Sequence, residues 1–209
     1  MLRRVPNGQA ASSPPRSPEE RRADILGAAS TLLAERSWDG FTMRDVATRA
    51  GLSAGAVYQY FEGKRDIFAS LYAERLEQEL DSLEGAGNAD LDSLARRLVE
   101  DFGEIYARFG RHQLAWAAEG IERSPAVERL GAAFNALAAA VETTLAAAAA
   151  PAGRELVPGA GRMPYLWAVV NGVGDQLLGG RYRLHDCSRD EFLSFAAGAL
   201  VAGLTRPAG

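Results

Sequence analysis

The chain has 209 residues, of which 47% are apolar, and this composition suits a globular protein with a substantial core. No run reaches 18 uninterrupted apolar residues, and the Arg3-Arg4 pair precedes no apolar segment, so neither a membrane span nor a signal peptide is expected. The single cysteine, Cys187, cannot form an internal disulfide, which makes a cytoplasmic location the default expectation. The net charge of -4 is unevenly divided: residues 1–66 hold ten basic and eight acidic side chains, and residues 67–209 hold thirteen and nineteen, so the front is better suited to phosphate.

The first 17 residues are rich in Pro, Ser, Gly and Arg and contain few large apolar side chains, which predicts a disordered tail. Such a tail is either an inert leader or a basic arm that lies along DNA. Ser17, Pro18 and Glu20 then form a strong helix start, with an N-cap, a first-turn proline and a capping-box acid. Apolar residues at helical spacing predict that the first helix continues to about Arg36.

A short helix is predicted next. Thr42 is a good N-cap, and Asp45 three residues later completes a variant of the capping box, so the helix begins at Met43. It ends at Ala50, because Gly51 supplies the left-handed residue with which helices commonly end.

Ser53 caps a second helix that runs to about Phe61, and two helices joined by a tight glycine turn form a helix-turn-helix. The second helix of this motif enters the major groove of DNA, where small residues let the backbone approach the bases, Gln can read adenine, and Ser or Tyr can hold phosphate. Lys64 begins the following helix, where its ammonium and the free backbone N–H groups could share a phosphate. The alternative is a helical hairpin used only for packing. The residues expected to contact DNA are Thr42, Arg44, Ser53, Ala54, Gly55, Ala56, Tyr58, Gln59, Tyr60 and Lys64.

The stretch from Phe41 to Phe68, FTMRDVATRAGLSAGAVYQYFEGKRDIF, resembles the TetR family of bacterial transcription regulators. One departure is Ala56, where the family often has Thr, and one possible backbone contact is affected. The resemblance covers about residues 20–70 and implies a helix-turn-helix head (residues 18–66) and a helical ligand-binding and dimerisation domain (residues 67–209), which is called the rear domain below. The matching residues are Gly40, Phe41, Thr42, Val46, Ala47, Ala50, Gly51, Ser53, Tyr58, Tyr60, Phe61 and Lys64.

The remainder of the chain also follows helical periodicity. No alternating strand pattern is present, so the fold is predicted to be all-α with about nine helices. Residues 151–161 are predicted to be a loop, and Gly110 is predicted to end a helix. The helices predicted after the motif span residues 64–84, 91–109, 112–123, 125–150, 163–179 and 188–204.

The last two helices are more apolar and richer in Gly and Ala than one packed face requires, which predicts that a second face meets another copy of the chain. The resemblance implies the same homodimer, and a fully buried helix pair within one subunit is the alternative. Gly172-x-Gly174 sits inside an apolar helix, where it indicates helix packing instead of a nucleotide site. His185, Asp186 and Cys187 are consecutive and lack the spacing of a metal site, and no catalytic arrangement is present, so neither an enzyme nor a cofactor is expected.

The resemblance also implies an internal cavity for a small-molecule effector. For each aromatic residue taken alone, ordinary core packing is the alternative, and the few basic residues favour an apolar, neutral or cationic ligand. We therefore expect a ligand-responsive repressor that a small molecule releases from a near-palindromic operator; the alternative is a helical ligand-binding protein or enzyme subunit with a purely structural helix-turn-helix. The plausible lining residues are Phe102, Tyr106, Trp116, Glu119, Phe134, Tyr165, Trp167, Asn171, Asp175 and Gln176.

Overall fold

The computed structural model describes residues 16–85, 89–118, 120 and 123–209. The disordered tail was predicted for residues 1–17, of which residues 1–15 lie outside the described residues. The predicted ligand contact Glu119 also lies outside them. The all-α class is confirmed. Within the described residues the α-helices are α1 (Pro18–Glu35), α2 (Met43–Ala50), α3 (Ala54–Tyr58), α4 (Lys64–Gly85), α5 (Leu91–Ile105), α6 (Arg111–Ala118), α7 (Pro125–Ala149), α8 (Arg162–Leu177) and α9 (Arg189–Leu204).

The head is built from helices whose ends follow the local signals in the sequence. The Ser17 hydroxyl accepts a hydrogen bond from the Glu20 amide at 3.1 Å, and the Glu20 carboxylate accepts one from the Ser17 amide at 2.7 Å. This capping box satisfies two N–H groups that the first turn of α1 cannot pair. α1 packs on α2, and α2 packs on α3, around a core that includes Ile25, Leu32 and Val46.

Helix α4 joins the head to the rear domain and packs along α7. Phe68 in its second turn is fully buried, and its ring centroid lies 5.5 Å from that of Trp38 in the head and 5.6 Å from that of Trp116 in α6. Two hydrogen bonds also fix α6 at this junction: His112 Nε2 donates to the carbonyl of Leu33 at 3.1 Å, and the Tyr72 hydroxyl donates to the Gln113 side chain at 3.3 Å. The head and the rear domain therefore share an aromatic core around Phe68.

Gly110 does not end a helix, contrary to the prediction. The chain passes from α5 through a π-helical turn, Tyr106–Gly110, directly into α6. A Cβ atom at Gly110 would fall on the ring of Tyr106, so the glycine makes room for a side chain within a continuous helical path. A sequence pattern cannot tell this use of glycine from a helix end.

Gly174 allows a close crossing of α8 over α5. A Cβ atom at this position would lie 2.6 Å from the carbonyl oxygen of Gly103 and 2.8 Å from the side chain of Tyr106. Gly172, in contrast, is exposed. The packing role predicted for this pair of glycines is therefore confirmed at Gly174.

The segment predicted as a loop at residues 151–161 contains a short strand, β1 (Arg154–Leu156), which pairs antiparallel with β2 (Thr205–Pro207). Arg154 faces Pro207, and Leu156 faces Thr205. Strands of three residues are too short to show an alternating pattern, which is why the sequence did not reveal them. The pair fastens the end of the chain to the C-terminal end of α7.

By length and composition alone, residues Pro125–Ala152 could also cross a membrane. In the fold, this helix buries Leu130, Leu137, Val141 and Leu145 along one face and packs on α4 and α5. Its burial pattern is that of an amphipathic core helix.

Candidate nucleic-acid interface

The first helix of the motif, α2, begins and ends as its sequence predicts. The Thr42 hydroxyl caps it by accepting from the Asp45 amide at 3.3 Å, and the Asp45 carboxylate accepts from the Thr42 amide at 2.7 Å. Hydrogen bonds from the Thr42 hydroxyl and amide, and the positive charge of Arg36, hold the pKa of Asp45 below its ordinary value. The capping box therefore carries a full negative charge at neutral pH, at the positive end of the helix dipole.

A tight turn separates α2 from α3. Gly51 adopts φ +69°, the left-handed conformation that glycine tolerates best. The Leu52 amide donates to the Ala47 carbonyl at 2.9 Å and the Gly51 amide to the Thr48 carbonyl at 3.2 Å, which is the Schellman arrangement. These bonds set the angle at which α3 leaves α2.

Helix α3 presents one face to solvent and buries the other. Val57 is fully buried and anchors the helix, whereas Gly55, Tyr58 and the C-cap residue Gln59 are exposed, and Tyr58 is 56% accessible. Ser53 caps the helix by accepting from the Ala56 amide at 3.2 Å. The exposed face thus combines a glycine, which allows close approach of a backbone, with two side chains that carry polar ends.

Four of the predicted DNA contacts come together on one surface. Thr42 and Arg44 at the start of α2 share a shallow depression of about 360 Å³ with Ala54 and Tyr58 of α3. Among the described residues, no acidic side chain pairs with the Arg44 guanidinium, which is exposed. Ala54, Ala56 and Tyr60 are half-buried, and Ser53 is exposed. That any of these residues touches DNA stays a prediction.

Lys64 has an internal role that the sequence did not reveal. Its ammonium donates to the Trp38 carbonyl at 2.6 Å and to the Phe41 carbonyl at 3.4 Å, and it lies 4.4 Å from the centroid of the Trp38 ring. These contacts hold the segment that leads into α2 against the start of α4. A substitution of Lys64 would therefore disturb the head itself, so the residue is a poor probe of phosphate contact.

The expected ligand-lining rings are packed against one another. The Trp167 ring centroid lies 5.2 Å from that of Phe102 and 5.8 Å from that of Phe134, with the rings edge to face in both pairs. Trp116 is buried against Phe68, and the Tyr106 ring fills the space beside Gly110 and Gly174. The alternative of ordinary core packing therefore describes these five aromatic residues in the fold as it stands.

The polar residues expected in the cavity are placed differently. Asn171 lies on the exposed face of α8, so its assignment to an internal cavity is wrong. Asp175 forms an ion pair with Arg181, and Gln176 is half-buried. Tyr165 is 38% accessible, and its hydroxyl donates to the Ala199 carbonyl at 3.3 Å, which joins α8 to α9. Helical periodicity located α8, but the partner of each of its faces depends on contacts distant in sequence.

Much of the exposed surface of α8 and α9 is apolar, although Asn171 and Ser194 are exposed as well. Phe195 is 78% accessible, and the residues exposed near it on the two helices are mostly small. No group of three or more His, Cys, Asp or Glu side chains in the described part of the chain could hold a metal ion. The small exposed apolar residues are Ala168, Gly172, Gly198, Ala199, Ala202 and Gly203.

Comparison with known proteins finds relatives for both the helix-turn-helix sequence and the fold. A family model described as bacterial regulatory proteins, tetR family, matches residues 25–71. The HTH-type transcriptional repressor KstR2 of Mycolicibacterium smegmatis is 33% identical over 95 residues, which cover 46% of this chain and 44% of the repressor. The chain thus aligns with less than half of the length of that relative.

Two solved structures share the fold over most of the chain. A transcriptional regulator from Saccharomonospora viridis, in complex with choline, has a TM-score of 0.65 at 20% identity and covers 90% of this chain and 99% of its own. FadR from Bacillus subtilis, in complex with stearoyl-CoA, has a TM-score of 0.59 at 17% identity and covers 87% of this chain and 98% of its own. The family model thus identifies residues 25–71 as a helix-turn-helix of the TetR family of bacterial regulatory proteins, and the two structures share the fold over most of the chain.

Proposed function

We propose that the chain is a transcription regulator that binds duplex DNA through α3. The observation that carries this proposal is the two-sided character of that helix: Val57 is buried, while Gly55, Tyr58 and Gln59 face solvent beside the exposed Arg44. The exposed glycine lets another backbone approach closely, and the side chains around it offer polar ends and a positive charge to a partner. Gln59 is suited to read adenine, and Arg44 and Tyr58 are suited to hold phosphate.

The regulator acts as a homodimer on a near-palindromic duplex. The exposed apolar strip on α8 and α9, centred on Phe195, supports a contact between two copies, because its small residues allow helices to approach closely. One α3 reads too few base pairs for specificity, so two copies related by a two-fold axis require two half-sites. Such a protein acts where the bacterial chromosome is, in the cytoplasm.

A small molecule bound in the rear domain releases the repressor from DNA. Support comes from α4, which begins in the head, has no Pro along its length, and packs on α7, so a shift among the rear helices can tilt the head. The choline and stearoyl-CoA complexes of the two fold neighbours agree with an effector site in this fold. The packed rings around Trp167 require that an effector open its own space among them, which favours an apolar, neutral or cationic molecule.

Selection of duplexes from a random DNA pool tests the proposal. We expect a near-palindromic site whose half-sites are about one helical turn apart or a multiple of it. Failure of the wild-type chain to enrich any duplex, or enrichment of a site without symmetry, would contradict the proposal.

Two variants then separate base reading from phosphate binding. Gln59→Ala is expected to relax preference at one position in each half-site, whereas Arg44→Ala is expected to weaken binding to all duplexes and to lower the salt slope by about two per dimer. Arg206→Ala is the matched control, because it removes the same charge from an exposed side chain in β2. If Arg206→Ala changed the salt slope, or if Arg44→Ala left it unchanged, the assignment of a phosphate contact to Arg44 would be wrong.

A further inference from the structure

Asp66 connects the segment that follows α3 to the start of α7. One of its carboxylate oxygens accepts from the Glu62 amide at 3.1 Å, in the loop between α3 and α4. The other accepts from the Ser124 hydroxyl at 2.6 Å, at the start of α7. A single half-buried side chain thus holds a backbone group of the head with one oxygen and a side chain of the rear domain with the other.

Ser124 has two roles at once. Its hydroxyl oxygen accepts a hydrogen bond from the Val127 amide at 3.3 Å and so caps α7, while the hydroxyl donates a hydrogen bond to the Asp66 carboxylate. An N-cap usually serves only its own helix. Here the hydroxyl also fixes the position of the helix start relative to the head, and it does so in a charge-assisted hydrogen bond.

The hydrogen bond between Asp66 and Ser124 lies between two clefts. Tyr58, Gln59 and Arg129 line the cleft on one side, which has a volume of about 420 Å³. Lys64, Trp116 and Arg123 line the cleft on the other side, which has a volume of about 430 Å³. Asp66 and Glu62 border both clefts. Phe61 anchors the loop in the core, whereas Glu62 between the two clefts is exposed, so the Asp66 carboxylate is the contact that holds the Glu62 amide in place.

We propose that Asp66 is a positioning residue that transmits the position of α7 to the recognition helix α3, through its paired hydrogen bonds to Ser124 and Glu62. A displacement of α7 pulls on the Asp66 carboxylate, and the carboxylate carries the loop after α3 with it. This route runs beside the tilt of α4 and reaches Tyr58 and Gln59, the residues proposed to hold phosphate and to read a base, within a few residues of Glu62. The inference rests on the proposed function for its effect on DNA, but the mechanical link itself does not.

Ser124→Asp breaks the link and keeps the cap. Asp is as good an N-cap as Ser, so α7 retains its first hydrogen bond, while the donor to Asp66 is replaced by a second carboxylate that repels it. Ser188→Asp is the matched control, since Ser188 caps α9 in the same way and has no contact with the head. Adding Asp66→Asn to Ser124→Asp removes the repulsion and supplies an amide donor, so the double variant tests for rescue.

The first readout is hydrogen exchange of the free protein, without DNA. We expect amides of residues 59–63 to exchange at least about tenfold faster in Ser124→Asp than in wild type or in Ser188→Asp, because the Glu62 amide loses a fixed acceptor, and to return toward wild type in the double variant. Unchanged exchange in this segment would overturn the link, whether or not the protein binds DNA.

The second readout uses the duplex that the wild-type chain selects, and the same duplex with one base pair inserted at its centre. Ser124→Asp should bind the selected duplex about tenfold more weakly, a typical size for coupling between sites. It should also discriminate between the two duplexes at least about threefold less than wild type, because loosely held heads tolerate a changed half-site spacing. A merely structural role would lower both affinities in proportion and leave their ratio unchanged, and that result would refute the positioning role. If the wild-type chain selects no duplex, the proposed function fails, and the exchange experiment alone decides whether the link exists.

Discussion

The head and the rear domain obtain their structure from different sources of information. In the head, Thr42 and Ser53 cap their helices and Gly51 ends one, so neighbouring residues determine where each element begins. In the rear domain, Gly110 and Gly174 are explained only by the side chain or helix that comes to lie against them. The comparison teaches that local signals determine boundaries, whereas contacts between distant residues determine which faces are buried and whether a cavity exists.

The largest expected effect is that of Phe68→Ala, which tests whether the head and the rear domain are stabilised separately, because Phe68 belongs to the cores of both. Its ring contacts Trp38 in the head and Trp116 in α6, and none of its surface is exposed. Truncation leaves a cavity that these large rings cannot fill, so we expect the free energy of unfolding to fall by about 3–5 kcal/mol. Urea unfolding followed by circular dichroism and by tryptophan fluorescence would measure the loss.

The control for this experiment is Leu184→Ala. Leu184 is 81% accessible, so its truncation should change stability by no more than about 0.5 kcal/mol. In Phe68→Ala we also expect the unfolding transitions followed by circular dichroism and by tryptophan fluorescence to shift together to lower urea concentration. If the head kept its wild-type transition while only the rear domain weakened, the head would be stable on its local signals alone.

Gly174→Ala sharpens the description of the rear domain. The added methyl group would meet backbone, at 2.6 Å from the Gly103 carbonyl oxygen, so α5 and α8 must move apart. We expect a loss of about 1–3 kcal/mol, the usual cost of overpacking, measured as a lower urea midpoint.

Gly131→Ala makes the same chemical change on the exposed side of α7, where a Cβ atom meets nothing within 4 Å. Alanine favours a helix over glycine, so this variant should gain up to about 1 kcal/mol. We therefore expect Gly174→Ala to lower the free energy of unfolding and Gly131→Ala to raise it. Equal effects would mean that the α5–α8 crossing is not as close as described.

Most of the head could be predicted from the sequence, whereas in the rear domain only the positions of the helices could be. The prediction that a helix spans Met43 to Ala50 is confirmed to the residue, because an N-cap and a left-handed glycine mark its two ends. The helix predicted over residues 188–204 is also confirmed within a residue, and Ser188 and Glu191 form a capping box at its start. These features involve residues three or four apart, which a linear reading can detect.

The roles of individual side chains were harder to predict. The sequence placed the Lys64 ammonium at a helix start, where it could share a phosphate with the backbone N–H groups. Its partners, the Trp38 and Phe41 carbonyls, lie more than twenty residues away in the chain. Asn171 was placed in a cavity that the family resemblance implies, although neither the resemblance nor helical periodicity says which polar residue faces inward. The bond from Ser124 to Asp66 spans 58 positions in the chain and leaves no local signal.

The smallest expected effect concerns the capping box of α2, which tests how far local signals stabilise the head. Thr42→Ala removes the N-cap hydroxyl and should cost about 1 kcal/mol, whereas Thr48→Ala, on the exposed side of the same helix, should change stability little.

The same capping box predicts a dependence on pH. The Thr42 hydroxyl and amide, and then Arg36, lower the pKa of Asp45 below its ordinary value of 3.8. A carboxyl whose pKa is lower in the folded state than in the unfolded state stabilises the protein at pH values above the ordinary pKa, and that stabilisation is lost as the pH falls through the folded value. The difference in stability between wild type and Asp45→Asn should thus be constant from pH 7 to about pH 5 and shrink below pH 3.8. Urea midpoints of the two proteins across this range measure it. A difference that grew as the pH fell would mean that the Asp45 charge destabilises the folded head.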